Sequence, residues 1–255
     1  MSRFHIVTRA SDTAYLYDGT LEGFYCCVHA SVYRREFPCA IFAPEETQES
    51  LFPPTEIVTD QGQAGKVRRA VAAHISPRAL ELTETVFCSC LPRREWRLLR
   101  ILLRGWREGP SLLERLGDEE LAPLLKAERH LGGEVQLLRG FVRFSDLGGM
   151  LAATITPKNF VLPFLAPHFA GRYPNENFLI FDKTHKAALL QEQGQLRLIR
   201  AERIEFPAVS ELEAGYRALW RRFYDAVAIE ARENPRCRMT HMPKRYWENM
   251  TEFGD

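Results

Sequence analysis

The stretch Asn177-Phe178-Leu179-Ile180-Phe181-Asp182, followed by Lys183-Thr184, residues 185–191, Gln193-Gly194 and Gln195-Leu196-Arg197-Leu198-Ile199, decides the fold class. Each apolar segment is short and bounded by turn residues. The spacing therefore predicts a three-strand antiparallel meander turning at Lys183-Thr184 and Gln193-Gly194. Upstream, Phe141-Val142-Arg143-Phe144 and Leu151-Ala152-Ala153-Thr154-Ile155-Thr156 read as two more strands around Gly148-Gly149. Residues 160–172 between the two groups read as helix, in which Pro163 and Pro167 predict a kink or two short turns. The order β-β-α-β-β-β predicts an α+β fold, an antiparallel sheet with helices on one face.

Working outward, residues 64–130 read as a mainly helical middle region. Its clearest helix covers 92–106, where Leu99, Leu102, Leu103 and Trp106 form one apolar stripe. Shorter helices are expected at 111–116 and 118–131, the second stopped by Gly132-Gly133. Near the start, 5–8 and 14–17 read as strands around Ser11-Asp12. Thr20 then caps a helix to about residue 36, with Leu21, Phe24, Val28 and Val32 on its inner face. An acidic connector follows at 43–60. Toward the end, Ser210 and Glu213 form a capping box for a helix whose Tyr216, Leu219, Trp220, Phe223 and Val227 are expected to pack back on the domain. The expected regions are 1–62, 63–138 and 139–255, within one unit overall.

The 255 residues are 45% hydrophobic and 26% charged, which excludes disorder, collagen and coiled coil. No apolar run reaches membrane-spanning length, and the first residues lack the core of a secretion signal. A soluble, cytoplasmic protein without membrane contact is expected. Six cysteines occur with no CxxC pair, so neither a disulfide framework nor a metal site is expected. GxSxG, HExxH, P-loop and GxGxxG signatures are absent, which removes support for the hydrolase, zincin, nucleotide-kinase and Rossmann readings.

Net charge is only +1, but the charge is segregated along the chain. Residues 36–60 hold six acids and no Lys or Arg; residues 66–115 hold eleven basic and five acidic residues. Arg93, Arg97, Arg100, Arg104 and Arg107 repeat at four, three, four, three, which aligns them along one side of a helix. The stripe reads as a phosphate track. It reads equally as a solvated face paired with the acids of 36–60 or with Glu81, Glu84 and Glu95. In the tail, Lys244, Arg245, Tyr246 and Trp247 either grip and stack on a nucleic acid or pin the tail to the domain. Asp18, at a strand end before a helix, is either an acid–base candidate or ordinary turn chemistry. His168, Arg172 and Asp182 would supply a base, an anion clamp and an orienter if the fold brought them together; His185 lies just beyond.

Several segments carry a family resemblance. They are residues 17–24 (Tyr-Asp-Gly-Thr-Leu-Glu-Gly-Phe), residues 162–174 (Leu-Pro-Phe-Leu-Ala-Pro-His-Phe-Ala-Gly-Arg-Tyr-Pro), residues 178–182, Asn234-Pro235-Arg236 and residues 242–247. The chain resembles a bacterial family of DNA-metabolism or DNA-repair proteins encoded beside a radical-SAM protein, in some relatives fused ahead of a uracil-DNA-glycosylase-like domain. The resemblance implies a DNA-binding accessory that presents DNA to a radical-SAM partner, and it carries over no catalytic residues. This chain lacks the CxxxCxxC triplet of a radical-SAM cluster, so that chemistry falls to the partner and no cofactor is expected here. Two alternatives stay open: an enzyme on a nucleobase or nucleotide with Asp18, His168, Arg172 and Asp182 in one pocket, and a protein–protein adaptor.

Overall fold

Thr20 opens helix α1 (Leu21–Arg34) by accepting a hydrogen bond from the Gly23 N–H on its side chain. One of the unpaired donors of the first turn is thereby satisfied. The computed structural model describes residues 9–44, 54–115, 117–206, 210–227, 236, 239 and 242–253. The chain divides into two units, Met1–Leu131 and Gly132–Asp255.

In the first unit, β2 (Ala14–Leu16) lies between β4 (Ala40–Phe42) and β5 (Thr55–Glu56), parallel to both. A second parallel pair joins β1 (Arg9–Ala10) to β3 (Glu36–Phe37). The expected strand at 5–8 lies outside the described residues. Helix α2 (Gln61–Ala70), capped by Asp60, continues through a π-helical turn, Val71–Ile75. Ser76 is extended and caps α3 (Pro77–Phe87), with Pro77 at a first-turn position where its missing N–H costs nothing. Helix α4 (Arg94–Glu108) buries Leu98, Leu99, Leu102 and Leu103 against a core that includes Tyr15, Phe24, Val71 and Val86. A 3-10 turn, Gly109–Glu114, follows it.

The division between the units falls within α5 (Ala122–Phe141). Gly132-Gly133 does not stop this helix, and Phe141 ends it instead of starting a strand. The next turn buries Val135 and Leu138, which outweighs the ~1 kcal/mol that each exposed glycine costs a helix.

The second unit is a five-stranded sheet in the order β10-β9-β8-β7-β6. Its strands are β6 (Ser145–Asp146), β7 (Met150–Ile155), β8 (Asn177–Asp182), β9 (Ala187–Glu192) and β10 (Gln195–Arg200). The meander β8-β9-β10 is antiparallel, as its turns predict, and β6-β7 is antiparallel too. The fold is α+β, but the sheet is not wholly antiparallel: β7 and β8 run parallel. Helix α6 (Leu162–Arg172) makes the long crossover that a parallel pair requires. It is one continuous helix with Pro163 in the first turn and Pro167 inside it, so of the two expected outcomes the split into two short turns does not form.

Helix α7 (Glu211–Val227) starts at Ser210, whose hydroxyl accepts the Glu213 N–H. Glu213 bonds the Asp146 N–H and Arg217. Of the expected apolar face, Tyr216, Leu219, Trp220 and Phe223 are exposed rather than buried, although Trp220 donates to Glu252, and the side chain of Val227 lies outside the described residues. A 3-10 turn, Lys244–Asn249, lies close to the end of the described part of the chain. Among the described residues, no helix is long and apolar enough to cross a membrane.

Candidate functional site

Four arginines of the stripe, Arg97, Arg100, Arg104 and Arg107, lie on α4 opposite the leucines that bury the helix, and Arg93 is the residue just before it. Arg93, Arg100 and Arg107 are exposed; Arg97 and Arg104 are half-buried. Arg93 donates to the Cys39 carbonyl at 3.1 Å, and its guanidinium lies 4.8 Å from the Trp96 ring centre. Arg100 lies 5.4 Å from the same ring centre. Trp96 is held by its indole N–H on the Pro38 carbonyl at 3.1 Å and by the edge of Phe37. Arg97 turns back on the Pro92 carbonyl.

The stripe does meet carboxylates, and among the described residues they are not those expected; Glu45, Glu46 and Glu49 lie outside the described residues. Arg104 binds Asp118, Glu120 and Glu108 at 2.6, 2.8 and 3.3 Å, and Arg100 binds Glu120 at 2.5 Å. The Arg104 hydrogen bond holds the Asp118 carboxyl well below the usual carboxylate range. Glu95 instead accepts the buried Tyr17 hydroxyl and the Arg94 guanidinium, while Glu81 and Glu84 pair with Arg78 and Arg68. Arg107 has no partner among the described residues. Arg100, Arg104 and Arg107, with Phe37, Leu103 and Glu120, line a groove of about 470 Å³. Such a groove can hold an anion over an apolar floor, with the half-buried Glu120 as the competing carboxylate.

Asp18 also lies in the first unit. Its carboxylate accepts the Thr20 N–H at 2.9 Å, the Thr20 hydroxyl at 2.7 Å and the Thr59 hydroxyl at 2.7 Å. Burial pushes the carboxyl up, but these hydrogen bonds outweigh it and hold the group below its usual value. Asp18 thus ties the turn after β2 to the turn before α2.

In the second unit, Asp182 does not serve His168. Its fully buried carboxylate accepts the N–H groups of Thr184 and His185 at 3.0 and 3.1 Å, and the other oxygen lies 2.7 Å from His185 Nδ1. A donation from Nδ1 to this carboxylate fixes the orientation of the ring. The edge of Phe160 packs on the ring. His168 lies on α6, its Nε2 buried without a hydrogen bond among the described residues. Burial, then the charges of Arg139 and Arg172, lowers its pKa. Arg172 is exposed, with its Nε 3.3 Å from the Tyr173 hydroxyl. The base–clamp–orienter set His168, Arg172, Asp182 is therefore replaced by the pair Asp182–His185, a local signal that the sequence carries at spacing three.

The tail is half committed to structure. Tyr246 is 2% exposed and donates its hydroxyl to Glu134 at 2.7 Å; Arg245 binds the same carboxylate at 2.6 Å. Tyr246 therefore offers no face to a base, and Arg245 is not free to grip a phosphate. Glu134 also accepts the N–H groups of Lys158 and Asn159 and the Asn159 amide. Burial raises its pKa, but those bonds and the one from Tyr246 hold it below the usual range. Trp247 donates to the Met242 carbonyl and stacks on Phe253 at 4.9 Å, while exposed Lys244 lies 5.9 Å from its ring centre. Glu134 is the residue that sequence reasoning missed, because a helix expected to stop at Gly132-Gly133 gave it no inner face.

Among the described residues, no group of three or more His, Cys, Asp or Glu side chains is placed to hold a metal ion. No curated protein and no solved structure matches the chain. The model of a domain of unknown function, DUF4130, matches residues 92–252, a span that takes in the α4 arginines, the Asp182–His185 pair and the Glu134 network. With well over half of its length under that match, the chain belongs to the DUF4130 family.

Proposed function

We propose that the chain is a cytoplasmic DNA-binding accessory protein of DNA repair or base modification, working with a radical-SAM partner. The partner and the repair setting rest on the resemblance of residues 17–24, 162–174 and 242–247 to the family encoded beside such a protein. What supports the binding step is the α4 groove, where Arg100, Arg104 and Arg107 converge over Phe37 and Leu103. Arg93, Arg97 and Arg107 extend the positive face, and none of them is in an ion pair with a carboxylate among the described residues. Arg104 is a scaffold for the groove more than a phosphate contact, since three carboxylates already hold it.

The test is an electrophoretic mobility series across salt concentrations, with single-stranded and damaged duplex DNA. Replacing Arg93, Arg97 and Arg107 together with Glu is expected to weaken binding at least about tenfold. It should also flatten the log–log salt slope by about 2 to 3, at ~0.7–0.9 per phosphate contact. Unchanged affinity would overturn the reading.

One observation favours a second reading, an adaptor for an acidic protein surface: the groups that Arg100 and Arg104 already hold are carboxylates. Wild-type protein that captures the radical-SAM partner at low salt and retains no DNA would select it.

A further inference from the structure

The outer edge of β10 has no partner strand among the described residues. The hairpin that precedes it has a two-residue loop, Gln193 and Gly194, both with positive φ (50° and 76°), closed by the pair Glu192–Gln195. In a two-residue hairpin the closing pair exchanges both backbone hydrogen bonds, and the exchange then recurs at every second residue. Gln195, Arg197 and Ile199 therefore spend their N–H and C=O groups on β9. Ala201 keeps the same parity, donating its N–H to the Lys186 carbonyl at 2.9 Å. Leu196, Leu198 and Arg200 direct theirs away from the sheet, and no backbone partner for them occurs among the described residues. All six residues of β10 are exposed, including Leu196, Leu198 and Ile199 at 40%, 48% and 40%. An edge meant to stay solvated is short or charged on its surface. The opposite edge, β6, has only two residues; β10 has six and, beside Arg197 and Arg200, presents Leu196, Leu198 and Ile199.

We infer that β10 pairs antiparallel with β10 of a second copy of this chain, the two-fold axis passing through Leu198. The register follows from hydrogen bonding and charge. Centred on Leu198, Leu198 faces its own copy and Leu196 faces Arg200, so all three outward residues exchange hydrogen bonds. On the other face Arg197 lies opposite Ile199, its aliphatic stem against the branched side chain. Sliding one step toward the N-terminus places Arg197 opposite Arg197; two steps toward the C-terminus places Arg200 opposite Arg200. The slide between these avoids like charges but leaves Leu196 without a partner inside the strand. Only one register satisfies every outward group and keeps the guanidinium groups apart. The two five-stranded sheets then join edge to edge.

The test is the mass of the full chain in solution, by light scattering and sedimentation velocity across the micromolar range. Dimer is expected for the wild type. Leu198→Pro removes an N–H that points away from β9, so the hairpin tolerates it while the interface does not. Leu198→Arg sets like charges on the axis. Both are expected to give monomer with an unchanged far-ultraviolet circular dichroism spectrum, whereas Leu219→Glu on α7 leaves the dimer intact. Hydrogen exchange on the wild type needs no substitution: the amides of Leu196, Leu198 and Arg200 should slow as concentration rises. A monomeric wild type, concentration-independent exchange at those amides, or a dimer lost to Leu219→Glu but not to Leu198→Pro overturns the inference.

Discussion

Arg104 and Asp118 meet through two parallel hydrogen bonds, Nη2 to Oδ2 at 2.6 Å and Nη1 to Oδ1 at 3.0 Å, with both side chains largely out of solvent. The fork matches the carboxylate in both spacing and plane. Glu120 and Glu108 complete the shell around the same guanidinium. One arginine of a five-residue stripe is thereby a structural post, while its neighbour Arg107 is exposed.

Removing that post should separate stability from surface charge. Arg104→Ala leaves three carboxylates facing one another and is expected to cost about 2–4 kcal/mol. Arg104→Lys should recover less than half, because an ammonium cannot form the two-pronged bond. Arg107→Ala should stay within about 0.5 kcal/mol of wild type. Urea denaturation of the three variants measures all of this.

The Glu134 network predicts the direction of acid sensitivity. Its carboxyl is held below the usual value in the folded chain, so the unfolded chain binds the proton more readily. The stabilisation is complete above the unfolded value of about 4.3 and is lost as pH falls through the lower folded value. Thermal melting between neutral pH and pH 3 should fall for the wild type. In Glu134→Gln the curve should start lower, by about 2–4 kcal/mol, and fall less steeply. Parallel curves would remove Glu134 from the acid response.

The Asp182–His185 pair separates turn-building from ring placement. Asp182→Ala deletes an acceptor for two backbone N–H groups and an imidazole, and is expected to cost about 2–3 kcal/mol. His185→Ala deletes one of the three bonds and should cost about 1 kcal/mol. Equal losses in chemical denaturation would mean that the ring contact carries the turn.

Local features were legible because their causes are local. The Thr20 cap, the Ser210 start and the turns of the β8-β9-β10 meander depend on residues within three or four positions. The α4 stripe was legible for the same reason, since spacing alone sets which side chains share a face. What escaped depends on contacts distant in sequence. Nothing near Gly132-Gly133 announces that Glu134 will bond Lys158, 24 positions on, or Tyr246, 112 positions on. The parallel pairing of β7 with β8 likewise follows from the crossover through α6, and periodicity within each strand is blind to direction. Of the acids that hold Arg104, Glu108 stands one turn on in the same helix, but Asp118 and Glu120 sit in a connector whose sequence gives no hint of where it returns.

Gly23 links the first of those legible motifs to a test. In the first turn of α1, a Cβ at Gly23 would run into the Asp18 carboxylate, the Thr59 hydroxyl and the Tyr17 ring. Alanine gains about 1 kcal/mol over glycine in an unobstructed helix. Here it must displace the carboxylate that binds Thr20 and Thr59. Gly23→Ala is therefore expected to destabilise the protein by about 1–3 kcal/mol, an overpacking cost that exceeds the propensity gain. Adding Asp18→Ala to that variant removes the obstruction, so the double variant should lose less than the sum of the two single losses. A double-mutant cycle by urea denaturation reads that difference, and strict additivity would place the strain of the Cβ on Tyr17 or Thr59 instead.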